Sequence, residues 1–389
     1  MKSGLEFNAS SGISSAQAMA IALHEARKGA GFVAPNPLVG CVILDANRNL
    51  LATGYHHKVG DDHAEIDALK KLASPSLMTG GHVYVTLEPC AHQGRTGSCA
   101  RALAPLKPAS VTYAVDDPNP LVAGKGAALL RDAGIDADLL VNRSDLTKAE
   151  ATELVEQAED VAEIFLHNFR TGEPFIAMKV ASSLDGKMAY ASGESKWITG
   201  ALAREHVHSL RARYDAVAVG RNTFVADQPS LNVRHANFPN FVNKAVVFDP
   251  DGRLLNDLEN SNLLKVRDPQ NVIFVTDAKV SNENPAGVRV LKIPMLDQTD
   301  FMIDELFAGL KSEGVTSVLL EGGAKTYGAF FQANKIRRLH VYLAPVLMGG
   351  KNGLSWSAGF GGASMKERID LRRVQRETFG ADEYWTARL

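Results

Sequence analysis

Four side chains in the first hundred residues have the types and spacing for metal chemistry. The run His63-Ala64-Glu65 is followed by Pro89-Cys90 and, after eight intervening residues (Ala91 to Ser98), by Cys99. One imidazole and two thiolates supply three ligands to a zinc ion and leave its fourth position to water. A structural zinc site is closed by four protein ligands. An open position marks a catalytic site, where the metal draws the pKa of its water towards about 7. Glu65 stands two residues from His63 at a predicted helix start, so it can lie beside the metal without binding it and shuttle protons. That chemistry suits hydrolytic loss of ammonia from an amidine-like ring carbon. Taken singly, each residue has a plainer reading: His63 as a core histidine, the cysteines as small buried apolar groups. Cys41, inside the apolar run Leu38–Leu44, reads as core.

A second constellation suits a phosphate-rich ligand. The apolar run Val315–Leu320 delivers Glu321-Gly322-Gly323-Ala324-Lys325-Thr326-Tyr327-Gly328 to the start of a helix. Glycines at a strand-to-helix junction let an anion approach free backbone N–H groups, and the helix dipole favours negative charge there. Gly-Gly is also an ordinary tight turn. No GxGxxG follows the first strand of this half, so a standard dinucleotide-binding fold is not expected. Arg211, on a predicted helix, and Arg234, after a loop, carry the guanidinium fork that matches phosphate, a solvated surface arginine being the alternative for either and the phosphate reading the better one for Arg234.

Positioning these groups takes two sets of alternating strands and helices. Ser14-Ser15-Ala16-Gln17 reads as the cap of an Ala-rich helix reaching about Ala30, and the turn Pro35-Asn36-Pro37 follows. Strands are predicted at Leu38–Leu44, Val83–Leu87 and Val111–Val115, with helices at His63–Leu72 and Gly124–Ala133. The alternation implies an α/β fold, a covered sheet with parallel pairs. One Glu-rich helix over Lys148–Arg170 ends at Thr171-Gly172-Glu173-Pro174, which marks a domain boundary. Beyond it, strands are predicted at Phe175–Leu184, Ala216–Gly220, Lys244–Phe248, Val272–Thr276, Val288–Ile293 and Val315–Leu320. Helices are predicted at Ala201–Arg213 and Phe301–Lys311, and a closing hairpin over Arg372–Arg388 turns around Gly380.

The 389 residues suit two or three domains at roughly 150 residues each. With 45% hydrophobic and 22% charged residues the chain can bury sizeable cores. The 42 Lys+Arg against 44 Asp+Glu leave a net charge of −2, which argues against nonspecific nucleic-acid binding. Three cysteines are too few and odd in number for a disulfide framework, so a reducing compartment, the cytoplasm, is expected. No apolar run approaches the ~18 residues of a membrane span, so no membrane partner is expected. Residues 1–12 are Ser-rich, lack the apolar centre of a secretory signal and read as a loose leader.

The H-x-E…P-C…C pattern is the signature of zinc deaminases acting on nucleobases, with a longer gap between the thiols than the usual Cys-x-x-Cys. A nucleobase or nucleic-acid deaminase with a degenerate nucleotide-binding second domain shares it, as does a zinc-stabilised nucleotide-binding protein without turnover. Further runs narrow the choice. Pro35-Asn36-Pro37-Leu38-Val39-Gly40, Gly54-Tyr55-His56, His63-Ala64-Glu65, Thr86-Leu87-Glu88-Pro89-Cys90-Ala91-His92-Gln93-Gly94-Arg95-Thr96, Asp117-Pro118-Asn119-Pro120 and Gly124-Lys125-Gly126 resemble the bifunctional deaminase/reductase family of riboflavin biosynthesis. Ser183-Leu184-Asp185-Gly186-Lys187, Ser192 to Thr199 and Pro229-Ser230-Leu231 resemble its reductase half.

The resemblance implies a cytidine-deaminase-like three-layer domain over 13–148, a linker helix over 149–172 and a dihydrofolate-reductase-like domain over 173–389. It implies zinc on His63, Cys90 and Cys99, Glu65 as the proton carrier, and Asn36, His56 and His92 lining the pyrimidine or phosphate site, though each of these three equally suits a turn or cap. In the second half it assigns Lys179, Ser195, Arg211, Leu231, Arg234 and Glu321 to substrate, and Ala181, Trp197, Thr223, Asp227, Gly323, Ala324, Lys325, Thr326, Tyr327, Gly328 and Ala329 to NADPH. Lys179 also suits an exposed strand end, and Trp197 a core or rim aromatic. The implied activity is deamination of 2,5-diamino-6-ribosylamino-4(3H)-pyrimidinone 5′-phosphate, then reduction of its ribosyl chain to ribityl. A homo-oligomer is expected from the same source. The chain departs from the family at Ala91 and Gly97-Ser98 around the thiols and at Val161-Ala162 in the linker helix.

Overall fold

The computed structural model describes residues 12–91, 97–120, 122–281, 284, 286–296, 301–350, 352–361 and 364–389. The chain divides into two compact units, Met1–Gly172 and Glu173–Leu389.

The first unit runs α1 (Ser15–Arg27), β1 (Gly40–Leu44), β2 (Leu50–Tyr55), α2 (Ala64–Lys70), β3 (His82–Leu87), α3 (Cys99–Leu103), β4 (Ser110–Val115), α4 (Lys125–Asp132), β5 (Asp136–Leu139), α5 (Lys148–Val161) and α6 (Glu163–Thr171). Its sheet has the order β2-β1-β3-β4-β5. β1 pairs antiparallel with β2 and β3, whereas β3, β4 and β5 are mutually parallel, so the expected parallel pairs make up only part of the sheet. Successive side chains of a strand face opposite ways. Val42 and Leu44 accordingly pack with Met19, Leu23, Leu154 and Leu166 of α1, α5 and α6, while Cys41 and Ile43 pack with Ala64, Ala68, Leu103 and Leu130 of α2, α3 and α4. The result is a three-layer sandwich with two cores. Cys41 is fully buried in the second of them, as its apolar run predicts.

Ser14 and Gln17 form the predicted capping box, but α1 stops at Arg27, a turn short of Ala30. The single helix expected over Lys148–Arg170 is two helices, broken at Ala162 with φ −97° and ψ 14°. The break lets Val161 and Leu166 both reach the core beside α1, which a straight continuous helix would present on diverging faces. Gly54 in β2 brings α2 onto the sheet, for a Cβ there would fall 2.2 Å from the Ala64 carbonyl oxygen.

The second unit contains β6 (Phe175–Ser183), β7 (Lys187–Ala189), α7 (Ala201–Arg211), β8 (Ala216–Gly220), α8 (Arg221–Asp227), β9 (Lys244–Phe248), β10 (Val272–Asp277), β11 (Arg289–Ile293), α9 (Ile303–Ser312), β12 (Ser317–Leu320), α10 (Ala324–Gln332), β13 (Ile336–Ala344), β14 (Leu354–Ser355), β15 (Arg372–Phe379) and β16 (Asp382–Arg388). Nine strands form one sheet in the order β11-β10-β9-β8-β12-β6-β13-β16-β15. Every pair from β11 to β13 is parallel, and the β15–β16 hairpin joins antiparallel. The chain lays down β8 to β11 outward, then returns through α9 to insert β12 between β8 and β6. Such a reversal opens a crevice at the carboxyl ends of the strands. β12 is buried along its length, which matches the apolar run that predicted it.

Candidate active site

Three of the four metal-type residues converge. His63 is the N-cap of α2, Cys99 opens α3, and Cys90 follows β3. His63 Nδ1 lies 3.6 Å from Cys90 Sγ and 3.3 Å from Cys99 Sγ, and all three donor atoms fall within 4.8 Å of one another. Ideal Zn–N and Zn–S lengths in a tetrahedron place such ligand atoms about 3.6 Å apart, so the donor set fits a zinc ion. Among the described residues it is the one His, Cys, Asp and Glu cluster with this geometry.

Electrostatics favour deprotonated sulfur at Cys90. Its thiol, joined to Cys99 by hydrogen bonds and facing His63, is held down to about 4. The Cys99 backbone N–H also donates to Cys90 Sγ at 3.4 Å. Ser98 caps α3, accepting from Arg101 N–H, and its hydroxyl donates to the Cys90 carbonyl at 2.9 Å. The departure at Gly97-Ser98 therefore costs no ligand and supplies a cap. Glu65, in the first turn of α2, is 3% exposed, and burial pushes its carboxyl up to about 7 against the opposing charge of His63. A carboxyl poised near neutrality can both accept and donate a proton.

Asn36 and His56 join this cluster. The His56 ring stands edge-on to His63 with centroids 5.7 Å apart. Its Nδ1 donates to the Asp62 carbonyl at 2.9 Å, which leaves Nε2 to accept from the Asn36 amide at 3.0 Å. Burial lowers its pKa and keeps the ring neutral. His92, expected beside them, lies outside the described residues. Glu88, beside Pro89-Cys90, has no role that the sequence assigns. It is buried, and its carboxylate accepts from Gly124 and Ala127 N–H, fixing the start of α4 behind Pro89-Cys90. A carboxylate next to a ligand-bearing Pro-Cys was the only available signal.

The second unit holds a cleft of about 2080 Å³ at the carboxyl ends of β6, β8 and β12. Every second-half residue singled out from the sequence lines it: Lys179, Ala181, Ser195, Trp197, Arg211, Thr223, Asp227, Leu231, Arg234, Glu321 and Gly323 to Ala329. Gly323 has φ +81°, a conformation only glycine takes easily, and a Cβ on Gly322 would fall 2.7 Å from the Thr223 side chain. The strand-to-helix junction is thus shaped by its two glycines, and its N–H groups and large adjoining cavity fit a dinucleotide.

Arg211 and Glu321 form a two-pronged ion pair, Nε to Oε1 at 2.6 Å and Nη2 to Oε2 at 2.8 Å. Burial alone would raise the Glu321 carboxyl; the Arg211 charge outweighs it and holds the group below its usual range. Lys179 is not at a strand end but within β6, 5.7 Å above the Tyr342 ring, and burial lowers its pKa. Tyr327 is 2% exposed and donates to the Lys179 carbonyl at 2.7 Å, tying α10 to β6. Trp197 is a rim aromatic, 72% exposed, with the Arg204 guanidinium 4.6 Å above its ring. Asp227 accepts from Ser195 at 3.5 Å.

A metal-centred deaminase unit joined in one chain to a nucleotide-cleft reductase unit defines the class. Residues 13–115 match the cytidine and deoxycytidylate deaminase zinc-binding region, and residues 174–382 match the RibD C-terminal domain. The chain is 36% identical over 369 residues to riboflavin biosynthesis protein RibD of Bacillus amyloliquefaciens, covering 95% of each, and 36% identical over 341 residues to that of Escherichia coli (strain K12), covering 85% and 88%. Among solved structures, Acinetobacter baumannii RibD superposes with TM-score 0.78 at 34% identity, over 96% of this chain and 98% of that one. The diaminohydroxyphosphoribosylaminopyrimidine deaminase/5-amino-6-(5-phosphoribosylamino)uracil reductase of Thermotoga maritima superposes with TM-score 0.77 at 29% identity, with the same coverage. The chain belongs to the RibD family, the bifunctional deaminase/reductases of riboflavin biosynthesis. Its first unit has the cytidine-deaminase-like fold and its second the dihydrofolate-reductase-like fold of the family, with zinc and NADPH as their cofactors.

Proposed function

We propose that residues 13–148 deaminate 2,5-diamino-6-ribosylamino-4(3H)-pyrimidinone 5′-phosphate and residues 173–389 then reduce its ribosyl chain to ribityl, with 149–172 as the connecting segment. The observation that carries this is the convergence of His63 Nδ1, Cys90 Sγ and Cys99 Sγ beside the buried carboxyl of Glu65.

Zinc, when bound, supplies a Lewis acid that activates water; His63, Cys90 and Cys99 hold it. Glu65 takes a proton from the attacking water at its carboxylate and returns it to the departing amino group. The Asn36 amide and His56, fixed by their mutual hydrogen bond, orient the pyrimidine, and His92 is assigned to the same wall.

In the second unit NADPH, when bound, supplies the two electrons as hydride. Gly323, Ala324, Lys325, Thr326, Gly328 and Ala329 present the junction to its phosphates, Tyr327 anchors that junction from the core, and Ala181, Trp197, Thr223 and Asp227 line the rest of its path. Lys179, Ser195, Leu231 and Glu321, which line the same cleft, are assigned to the substrate, and the guanidinium groups of Arg211 and Arg234 to its 5′-phosphate. Thiol ligands suit a reducing compartment, so the cytoplasm is the proposed location. We also propose a homo-oligomer, with β15, the exposed strand that ends the nine-stranded sheet, as its candidate contact.

Incubating zinc-loaded protein with the diamino-pyrimidinone phosphate and identifying products by mass tests both steps. Loss of ammonia is expected without NADPH, and a gain of two hydrogens only with it. Two-hydrogen gain on the undeaminated compound would overturn the order.

A further inference from the structure

Arg267 is 8% exposed, and among the described residues no carboxylate pairs with it. Its guanidinium spends its donors on neutral oxygens. Nε donates to the Ser230 carbonyl at 2.9 Å, Nη2 to the Leu231 carbonyl at 2.5 Å and to Asn243 Oδ1 at 2.9 Å, and Nη1 to the Asn243 carbonyl. The Asn243 amide donates to the same Leu231 oxygen at 3.2 Å. Burial and the nearby Arg211 charge lower its pKa to about 10, which leaves it cationic at neutral pH.

The acceptors matter because of where they lie. Residues 228–235 have no regular structure, so their carbonyls find no ladder partners and need donors from elsewhere. Gln228 at φ +43° and Leu231 at φ +51° both occupy the left-handed region without being glycine. Such a conformation persists only where its surroundings impose it. The next carbonyl, Asn232, accepts from Arg211 Nη1 at 2.9 Å, and Arg234 Nη1 donates to Asn232 Oδ1 at 2.5 Å. The segment therefore carries the Arg234 guanidinium and is tied to that of Arg211 on α7, both of which line the cleft, while Arg267 lies behind it and does not line the cleft.

Resting on the reductase assignment for that cleft, we propose that Arg267 is a positioning residue: it clamps Ser230-Leu231 in its left-handed turn, with the Leu231 side chain seated in the core, so that Arg234 meets the phosphorylated substrate, and it sets affinity for that substrate without setting affinity for NADPH. A lysine keeps the charge but gathers its donors on one nitrogen and cannot span the four acceptors that the guanidinium fork reaches, and a methionine keeps the length without any donor.

The test uses the full chain with Arg267→Lys and Arg267→Met. Three quantities are measured: amide hydrogen exchange over 230–234, NADPH dissociation by nucleotide fluorescence, and KM and kcat for the deaminated substrate at saturating NADPH. Losing two charge-assisted hydrogen bonds is expected to speed exchange over 230–234 and raise KM by about tenfold each, with kcat and NADPH dissociation changed less than about twofold. Unchanged exchange over 230–234 overturns the proposal, as does a parallel loss of substrate and NADPH affinity. Failure of both variants to fold also overturns it, since Arg267 is then a folding residue only. If the unaltered protein binds no NADPH, the reductase assignment has failed instead, and the exchange measurement alone decides whether Arg267 holds the loop.

Discussion

The two sites of this chain are built by opposite means. In the first unit the chemistry rests on side-chain identity: a histidine and two cysteines, brought together within 4.8 Å by two short helices and the strand before them. In the second it rests on backbone shape and a wide cleft, whose walls come from the ends of parallel strands between Lys179 and Ala329. A metal centre tolerates little change of atom but needs few residues. A nucleotide cleft tolerates change at most positions but needs a whole sheet edge to exist.

The largest effect should separate the two sites. Glu65→Gln removes the proton carrier and is expected to cut deamination by about 10²–10⁴-fold while leaving NADPH-dependent reduction of pre-deaminated substrate within twofold. Product analysis by mass checks this, and full deamination by the variant would refute the role given to Glu65. Removing zinc with a chelator should reproduce the same split, with reduction retained.

The next effect belongs to the second unit. Glu321→Gln leaves the Arg211 guanidinium buried with its charge uncompensated, a loss of about 3–5 kcal/mol in stability. Denaturant unfolding followed by tryptophan fluorescence reads it cleanly, since all three tryptophans (Trp197, Trp356 and Trp385) lie in that unit. Zinc content should not change, and a loss of zinc would mean that the two units do not behave separately.

Acid should also act on the second unit. Burial lowers the pKa of His206 and His208 to about 4, and that of His340 well below its ordinary value. His340 sits between the Tyr214 and Tyr384 hydroxyls at 2.9 and 2.7 Å. A histidine whose folded pKa lies below its unfolded value of about 6.5 favours the native state most above pH 6.5, and that contribution disappears as pH falls towards 4. His206, the more deeply buried of the two, accounts for about 3 kcal/mol over that window. Tryptophan-detected stability should therefore fall between pH 6.5 and 4, and the fall should shrink in His206→Phe.

The smallest effect returns to the first unit. Ser98→Ala removes the cap of α3 and the hydroxyl donated to the Cys90 carbonyl, at a cost of about 1 kcal/mol. The unfolding midpoint of the zinc-loaded protein should move slightly, while tryptophan-detected unfolding of the second unit stays put.

Most of the strands were legible as apolar runs, and Ala216–Gly220 and Lys244–Phe248 match residue for residue. No apolar run or helical spacing predicts β2, α3, β5, β7, α8, β13 or β14. The first, Leu50–Tyr55, is half exposed with an interior glycine, and its identity as a strand comes from pairing with β1. β13 mixes Arg337, Arg338 and His340 into a strand whose buried polar groups find partners only in the tertiary fold, His340 between two tyrosines among them. The break at Ala162 escaped for a similar reason, since no Gly or Pro marks it and packing against α1 decides it. Arg267 carries no local signal and Glu88 only its place beside Pro89-Cys90, as each acts on a segment about 35 residues away in sequence.

What the sequence determined alone was chemical identity: which atoms can bind a soft cation, which carboxyl stands two residues from it, and which glycines open a strand-to-helix turn. These follow from covalent structure and short spacing. Only the tertiary structure decided burial and distance. It pushed Glu65 towards neutrality, locked Arg211 onto Glu321 and set Arg267 behind residues 230–234. Those outcomes depend on desolvation and on contacts between residues far apart in the chain, and no local pattern contains them.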